Sequence, residues 1–451
     1  MATMRIAIAH FRTGLTDGVS LEIDKRKALL ESMGHTVSLI SGTHSGHIDL
    51  HIPYFEYKNN PVIAEINRLS FLPDKATELQ NILDEAALKI ENELETFWKK
   101  EPFEVLFIHN IFCLAVCLPG SLAFYNFLKK HPEVKGITIH HDFYWEEARS
   151  HLFAFTNPYA RNILKQTMPP NLPNLTHTVI NTIAQNSLKE KRGIDSIVLS
   201  DTFDFTIPVS QKDETNKDFL KDCDLSSSDL VFLTAVRVRE RKAIELAIEV
   251  IRACAARKQD YVGKKKYSGE LITEESKVVL LIPGEFTEKE ALYVSKLKDM
   301  ADRYAVKIVW LQNLVGSEEQ KSQRSKKYSL WDCYVYADAV MYTSVWEGWG
   351  NQFMEAIIAR KPVVVFEYPV FTTDIKPFGF DVVSLGEKFS YNEYGLVEIL
   401  SEKVDLAAQK IMNTLSDIKK YEQTVNANYR LGKENFNIHI QLKKHLEKLI
   451  S

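Results

Sequence analysis

Two glutamates, Glu347 and Glu355, stand eight positions apart in the segment T-S-V-W-E-G-W-G-N-Q-F-M-E-A-I-I-A-R-K-P-V-V-V-F-E-Y-P-V-F, residues 343–371. A strand is expected to end near Tyr342. A turn carrying Gly348 and Gly350 then opens a helix at about Asn351. Two glycines let backbone amides approach a ligand closely. The free N–H groups of the helix start, at Asn351 and Gln352, favour an anion such as a diphosphate. Glu347, at the turn, can accept hydrogen bonds from sugar hydroxyls, and Glu355, deeper in the helix, can hold the two hydroxyls of a ribose. Taken bare, the same pair would also suit a plain strand-to-helix turn with two solvated acids.

A second segment, T-A-V-R-V-R-E-R-K-A-I (234–244), follows an apolar strand and opens a helix. Arg237 and Lys242 span that turn. Two cations there can neutralise the phosphates of a nucleotide diphosphate leaving group, Arg as a planar fork and Lys as a point charge. Countering charge as it develops is often a large part of catalysis. Arg239 and Arg241 compete for the role, and a solvated basic helix start remains the alternative. A third segment, I-T-I-H-H-D-F-Y-W-E-E-A-R (137–149), ends a strand in His140, His141 and Asp142. Side chains at a strand's carboxyl end point into the crevice where parallel sheets bind ligands. Tyr144 and Trp145 could stack on a sugar face, and His109-Asn110, ending the preceding strand, would line the same crevice. The turn at 12–19 contains Gly14 and Gly18 but is not G-x-G-x-x-G, so a nicotinamide dinucleotide site has weak support.

These segments need a scaffold that delivers strand ends to one edge, and the chain reads that way. Strands are expected at 4–11, 36–41, 104–109, 136–141, 176–181 and 196–200, with helices at 20–33 and 76–100 among them. Continuous apolar strands separated by helices imply a parallel sheet covered on both faces. After a polar stretch at 210–229 the alternation restarts with strands at 230–236, 278–282, 306–311, 339–342 and 363–366 and a helix at 241–255. The expectation is therefore α/β, with two Rossmann-like doubly wound domains, 1–209 and 210–429. The stretches 259–277 and 317–327 read as polar loops, and 421–450 as one long charged helix.

The 343–371 segment resembles the signature of glycosyltransferase family 4 ("group 1"), S-x-x-E-G-F/W-G-x-x-x-x-E-A-x-x-x-x-x-P-V-V. Ser344, Glu347, Gly348, Trp349, Gly350, Glu355, Ala356, Pro362, Val363 and Val364 all fit. Residues 334–344, Y-V-Y-A-D-A-V-M-Y-T-S, resemble its lead-in, with Thr343 where the family usually has Pro. Arg237 and Lys242 fall on the Arg and Lys of its G-R-L-x-x-x-K-G turn, while Val236 and Ala243 replace the glycines. The 12–19 turn is similar to the family's N-terminal glycine loop, best matched at Gly18, and 137–149 to its H-D loop. The resemblance covers nearly the whole chain and is tighter in the second half.

The resemblance implies a GT-B architecture: the two domains face a central cleft, and a C-terminal helix at about 430–451 crosses back to the first. It implies transfer of a sugar, with retention of configuration, from a UDP-, GDP- or ADP-sugar to a hydroxyl acceptor held by the first domain. His141 would contact the donor sugar with Asp142 orienting it, and Glu347 with the amides near Gly350–Gln352 would hold that sugar. No cofactor or metal is then required, because Arg237 and Lys242 can do a metal's charge work. A sugar-nucleotide epimerase or phosphorylase on the same fold, or a silent sugar-nucleotide-binding module, are the alternatives. The absence of membrane signals tilts weakly toward a small soluble acceptor such as a sugar or hydroxy acid, with polysaccharide and lipid-linked acceptors left open.

Composition sets outer bounds. The formal net charge of -4, with both signs interspersed, gives no support to a nucleic-acid partner. Five scattered cysteines read as reduced thiols of a cytoplasmic protein. Residues 4–10 are too short for a signal peptide, and the apolar run 105–127 is broken by His109-Asn110 and Pro119-Gly120, so no spanning helix is expected. Peripheral membrane contact and oligomeric state are left open. His44, His47 and His51 lie in a loop without arranged acids and read as solvated. Asp222-Cys223-Asp224 sits away from any strand end and is set aside as a metal motif.

Overall fold

The computed structural model describes residues 3–15, 18–43, 46–316, 320–321 and 326–451. Thr16 and Asp17 of the first turn, and His44, lie outside the described residues. The chain separates into two compact units, Met1–Thr202 with His439–Ser451, and Phe203–Ile438.

The first unit is built on β1 (Arg5–His10), β2 (Thr36–Ser41), β3 (Leu50–His51), β4 (Val105–His109), β5 (Lys135–His140), β6 (Leu175–Val179) and β7 (Ile197–Val198). All pair in parallel in the order β3-β2-β1-β4-β5-β6-β7. The central strands are apolar and buried, as a sheet covered on both faces requires. The helix Ala76–Lys100 lays Leu79, Leu83, Ile90 and Leu94 into the core at helical spacing. Helix starts carry their own caps: Asn60 accepts from Val62 and Ile63, with Pro61 next in line, and Asn181 accepts from Ala184.

The second unit repeats the plan with β8 (Leu230–Leu233), β9 (Val278–Ile282), β10 (Lys307–Trp310), β11 (Gln320–Lys321), β12 (Lys326–Lys327), β13 (Ala339–Tyr342), β14 (Val363–Val365) and β15 (Val383–Ser384). Its parallel sheet runs β10-β9-β8-β13-β14-β15, while β11 and β12 form a separate antiparallel pair. Asp338, in the Y-V-Y-A-D lead-in, is structural. Its carboxylate accepts from Val231 N (2.8 Å) and from the buried Lys266 ammonium (2.9 Å), locking β8 to β13.

Two elements differ from the sequence expectation. The 259–277 stretch is not a free loop, because Tyr261, Lys266 and Ile272 are buried and Tyr267 stacks on Tyr421 at 3.6 Å. The expected 421–450 helix is two helices, Ile418–Phe436 and Lys443–Ile450. Between them Phe203 N bonds Phe436 O and Ile438 N bonds Phe203 O. The outgoing and returning chain therefore run side by side there. That pairing, and the burial of Phe203 and Phe205 in the second core, put the division at 202/203 and 438/439.

Candidate active site

In each sheet the strand order reverses once, between β1 and β4 and between β8 and β13. Loops at the carboxyl ends of the strands flanking such a reversal diverge and leave room for a ligand. His10 and His109 end β1 and β4. The 234–243 and 343–350 loops follow β8 and β13. The topology thus delivers two sets of chemistry-bearing residues, one per unit.

In the second unit the loops are tied across the reversal. Val345 N bonds Arg241 O at 2.9 Å and Thr343 Oγ1 donates to Lys242 O at 3.1 Å. Lys242 is 5% exposed, and its ammonium donates to Glu347 Oε1. Arg241 donates to Glu347 Oε2 at 2.6 Å and to Trp346 O at 2.7 Å, with its guanidinium over the Trp346 ring. Burial opposes the Glu347 charge, but Lys242 and Arg241 overcome it and hold the carboxyl below its usual range. Burial pushes the Lys242 ammonium down, with Glu347 opposing. Both Glu347 oxygens are therefore engaged by cations, although a carboxylate keeps lone pairs for a hydroxyl. Of the two competing arginines it is therefore Arg241 that reaches Glu347. Arg239 pairs with Glu290 instead. Arg237 is exposed, on a loop whose backbone rests on Gly284: a Cβ there would lie 1.8 Å from Val236 O.

The helix Asn351–Ile358 starts from Gly350, so the Asn351 and Gln352 amides have no intrahelical acceptor. Gly350 is required sterically, because a Cβ would meet the Tyr368 hydroxyl at 2.4 Å. That hydroxyl donates to Trp349 O at 2.5 Å and fixes the turn. Gly348 precedes it in the same turn. Glu355 is half-buried and accepts from Tyr334 OH at 2.9 Å, and it also acts electrostatically on Lys242. Lys242, Glu347, Gly350 and Glu355 thus share one neighbourhood.

In the first unit, His109 and His141 stack with ring centroids 5.8 Å apart. His10 Nδ1 bonds His109 O at 2.9 Å. Asn110 takes a left-handed conformation (φ 58), which Asn tolerates, and its Oδ1 accepts from His141 N at 2.9 Å. Asn110 is thus what positions His141. Burial, then Arg26, His141 and His10, push the His109 imidazole well below its ordinary value. Burial, Arg26 and His10 lower His141 to about 3. Both rings are neutral at physiological pH.

Several expectations here need correction. Asp142 does not orient His141: Arg149, one short helical turn on, engages its carboxylate at 2.7 Å. Trp145 is occupied by packing, stacked on Phe143 at 4.3 Å with its N–H on Ser187, and Tyr144 packs edge-on against it. His140 is buried facing His177 (3.0 Å) and Thr138, on the opposite side of β5 from His141 as strand alternation requires. Gly18 begins the first helix in open space, and the left-handed residue of that turn is Gly14 (φ 70). Sequence reasoning missed Glu22, Arg26 and Asp201. Arg26 is 1% exposed, yet in sequence it reads as one more charge on a helix. Among the described residues no group of three or more His, Cys, Asp or Glu is placed to hold a metal ion. Nor is any described helix long and apolar enough to cross a membrane.

A glycosyltransferase from Rickettsia africae ESF-5 superposes on the whole chain with a TM-score of 0.64, covering 98% of that protein at 15% identity. No family model matches the sequence. Two parallel sheets of this kind, one per unit, together with these similarities, mark a group 1 glycosyltransferase of GT-B fold. The chain is 36% identical over 439 residues to the mannosylglucosylglycerate synthase of Petrotoga mobilis, covering 96% of this chain and 98% of that one. It is 36% identical over 453 residues to the enzyme of the same name from Thermotoga maritima, covering 96% and 97%. It belongs to the family of these synthases.

Proposed function

We propose that the protein transfers a mannosyl group from a nucleotide-diphosphate sugar to glucosylglycerate, with retention of configuration. The observation that carries this reading is full-length similarity to two synthases so named, joined to a donor-type loop pair in the second unit. Arg237 and Lys242 stabilise the departing diphosphate. The Asn351 and Gln352 amides, presented by Gly348 and Gly350, take the phosphate or sugar oxygens. Glu355 holds the ribose and Glu347 both orients Lys242 and meets a sugar hydroxyl. His141, neutral, offers a hydrogen bond to the donor sugar rather than a proton-transfer group, with His109 beside it. With two side-chain cations at the leaving group the reaction proceeds without an added metal. The division of labour between an acceptor unit (1–202 with 439–451) and a donor unit (203–438) follows the same reading. A cytoplasmic setting is supported by five buried free cysteines.

The test is direct. Thermal shifts with UDP-, GDP- and ADP-mannose identify the donor, since preferential binding to the native state raises the melting temperature. Incubation of that donor with glucosylglycerate in EDTA then yields a mannosylated product whose anomeric proton reports retention. Donor binding without product on this acceptor would overturn the assignment.

A further inference from the structure

Arg26 poses a problem that the donor site does not answer. It is 1% exposed, inside the helix Gly18–Ser32. Among the described residues only Nη1 has partners, Glu22 O at 3.2 Å and Glu22 Oε2 at 3.3 Å. Nε and Nη2 are buried without any. A buried N–H left unpaired is costly, so such groups call for a ligand or a water. Nε and Nη2 are also adjacent donors on one edge of the guanidinium, the fork that takes a carboxylate through two parallel hydrogen bonds.

The surroundings point the same way. Arg26 acts electrostatically on His109, His141 and Asp201, so all four share one neighbourhood at the β1/β4 reversal. Both ring nitrogens of His109, His141 Nε2 and Asp201 Oδ1 are likewise buried without a partner among the described residues. The cluster therefore holds one open cationic fork and a set of neutral or acidic groups able to pair with hydroxyls. That is the chemistry of a polyhydroxylated molecule bearing one carboxylate.

We propose that the Nε/Nη2 edge of Arg26 binds the carboxylate of the acceptor, with His109 and Asp201 receiving its hydroxyls. The proposal rests on the acceptor class stated above. It makes Arg26 the residue that selects glycerate-bearing acceptors over neutral ones. Glu22, fixed on Nη1, holds the fork so that its other edge faces the ligand.

The experiment compares glucosylglycerate with glucosylglycerol, which lacks only the carboxylate, in the wild type, Arg26→Gln and Arg26→Lys. Losing a charge-assisted pair is expected to raise KM for glucosylglycerate about 10- to 100-fold in Arg26→Gln, and the wild-type preference for it should collapse toward parity. Arg26→Lys restores charge without the fork and should recover only part. An unchanged acceptor preference in a folded Arg26→Gln overturns the proposal. Should that variant not fold, calorimetry on the wild type decides: equal affinity for the two acceptors overturns it, and preference for the carboxylate supports it. If glucosylglycerate is no acceptor at all, the functional reading fails separately. D-Glycerate binding is then the probe, and its equal binding to wild type and Arg26→Gln would refute the Arg26 site itself.

Discussion

The Lys242 ammonium and the Glu347 carboxylate form a buried ion pair that joins the loop after β8 to the loop after β13. In the proposed function the pair couples the cation assigned to the diphosphate to the acid assigned to the sugar. Lys242→Ala and Glu347→Gln are each expected to lower kcat by about 10²–10³-fold, the usual cost of losing a preorganised electrostatic contact. If Glu347 acts by holding Lys242, the double variant should be no worse than the worse single one. Rates at saturating donor and acceptor test this, and strictly multiplicative losses would show that the two act independently. Lys242→Ala leaves Arg241 on Glu347, so its melting temperature should fall less than that of a variant lacking both cations.

Gly350 is held against Tyr368. In Gly350→Ala the new Cβ must displace the Tyr368 hydroxyl, and with it the bond to Trp349 O that shapes the turn. Overpacking of this kind costs about 1–3 kcal/mol, and the Asn351 and Gln352 amides should shift, weakening donor binding. Adding Tyr368→Phe removes the clashing oxygen and should recover part of the lost stability. Calorimetry on the wild type and these two variants decides it. A double variant no more stable than Gly350→Ala would place the strain elsewhere, for instance on Ile375.

The two halves were not equally legible in sequence. The second unit's loops follow short, continuous apolar strands, and their glycines and charges occur within a few residues of one another, so local pattern singled out Lys242, Glu347 and Glu355, which the fold brings into one neighbourhood. Spacing alone could not show that Arg241 rather than Arg239 reaches Glu347, because that depends on how β13's loop lies over the 3-10 turn at Glu240–Lys242. In the first unit the cluster is assembled from three strand ends, one helix interior and residue 201. Nothing in the pattern around Arg26 distinguishes a solvated arginine from a buried one. The Asp142–Arg149 pair was invisible for a similar reason: the partner comes from a helical turn whose direction sequence does not encode.

Ala243 marks a place where this chain departs from the glycine of the family's K-G turn. It adopts φ 44, ψ 52, the left-handed region, to start the helix Ile244–Arg257. An L-residue there costs about 1–2 kcal/mol. Ala243→Gly should therefore raise stability by up to about 1 kcal/mol, the relief being offset in part by the greater freedom of an unfolded glycine. Activity should persist, since Lys242 O keeps its bond from Thr343. A drop in melting temperature would mean that the Ala243 methyl, which is fully buried, contributes more by packing than the backbone loses by strain.

Stability should fall as the solution is acidified from pH 7 to 5. His109, His140, His141 and His177 are all held below their ordinary value, each first by burial. Below about pH 6.5 the unfolded chain takes up protons on these four that the native protein refuses. Each adds a slope of about 1.4 kcal/mol per pH unit, with stability lost as pH falls. Asp201 and Glu146 act oppositely. Burial, aided by Glu22 for Asp201 and by Asp142 for Glu146, raises both to about 7. Between about pH 4 and 7 they are protonated in the native state and ionised when unfolded, so acid favours the fold through them. Four histidines outweigh two carboxylates, leaving a net loss on the order of 1–3 kcal/mol per pH unit near pH 5.5. A melting temperature that stays flat or rises from pH 7 to 5 would show that the histidines take up protons within the native protein. NMR of the His141 ring should in that case reveal a titration that its burial beside Arg26 is expected to suppress.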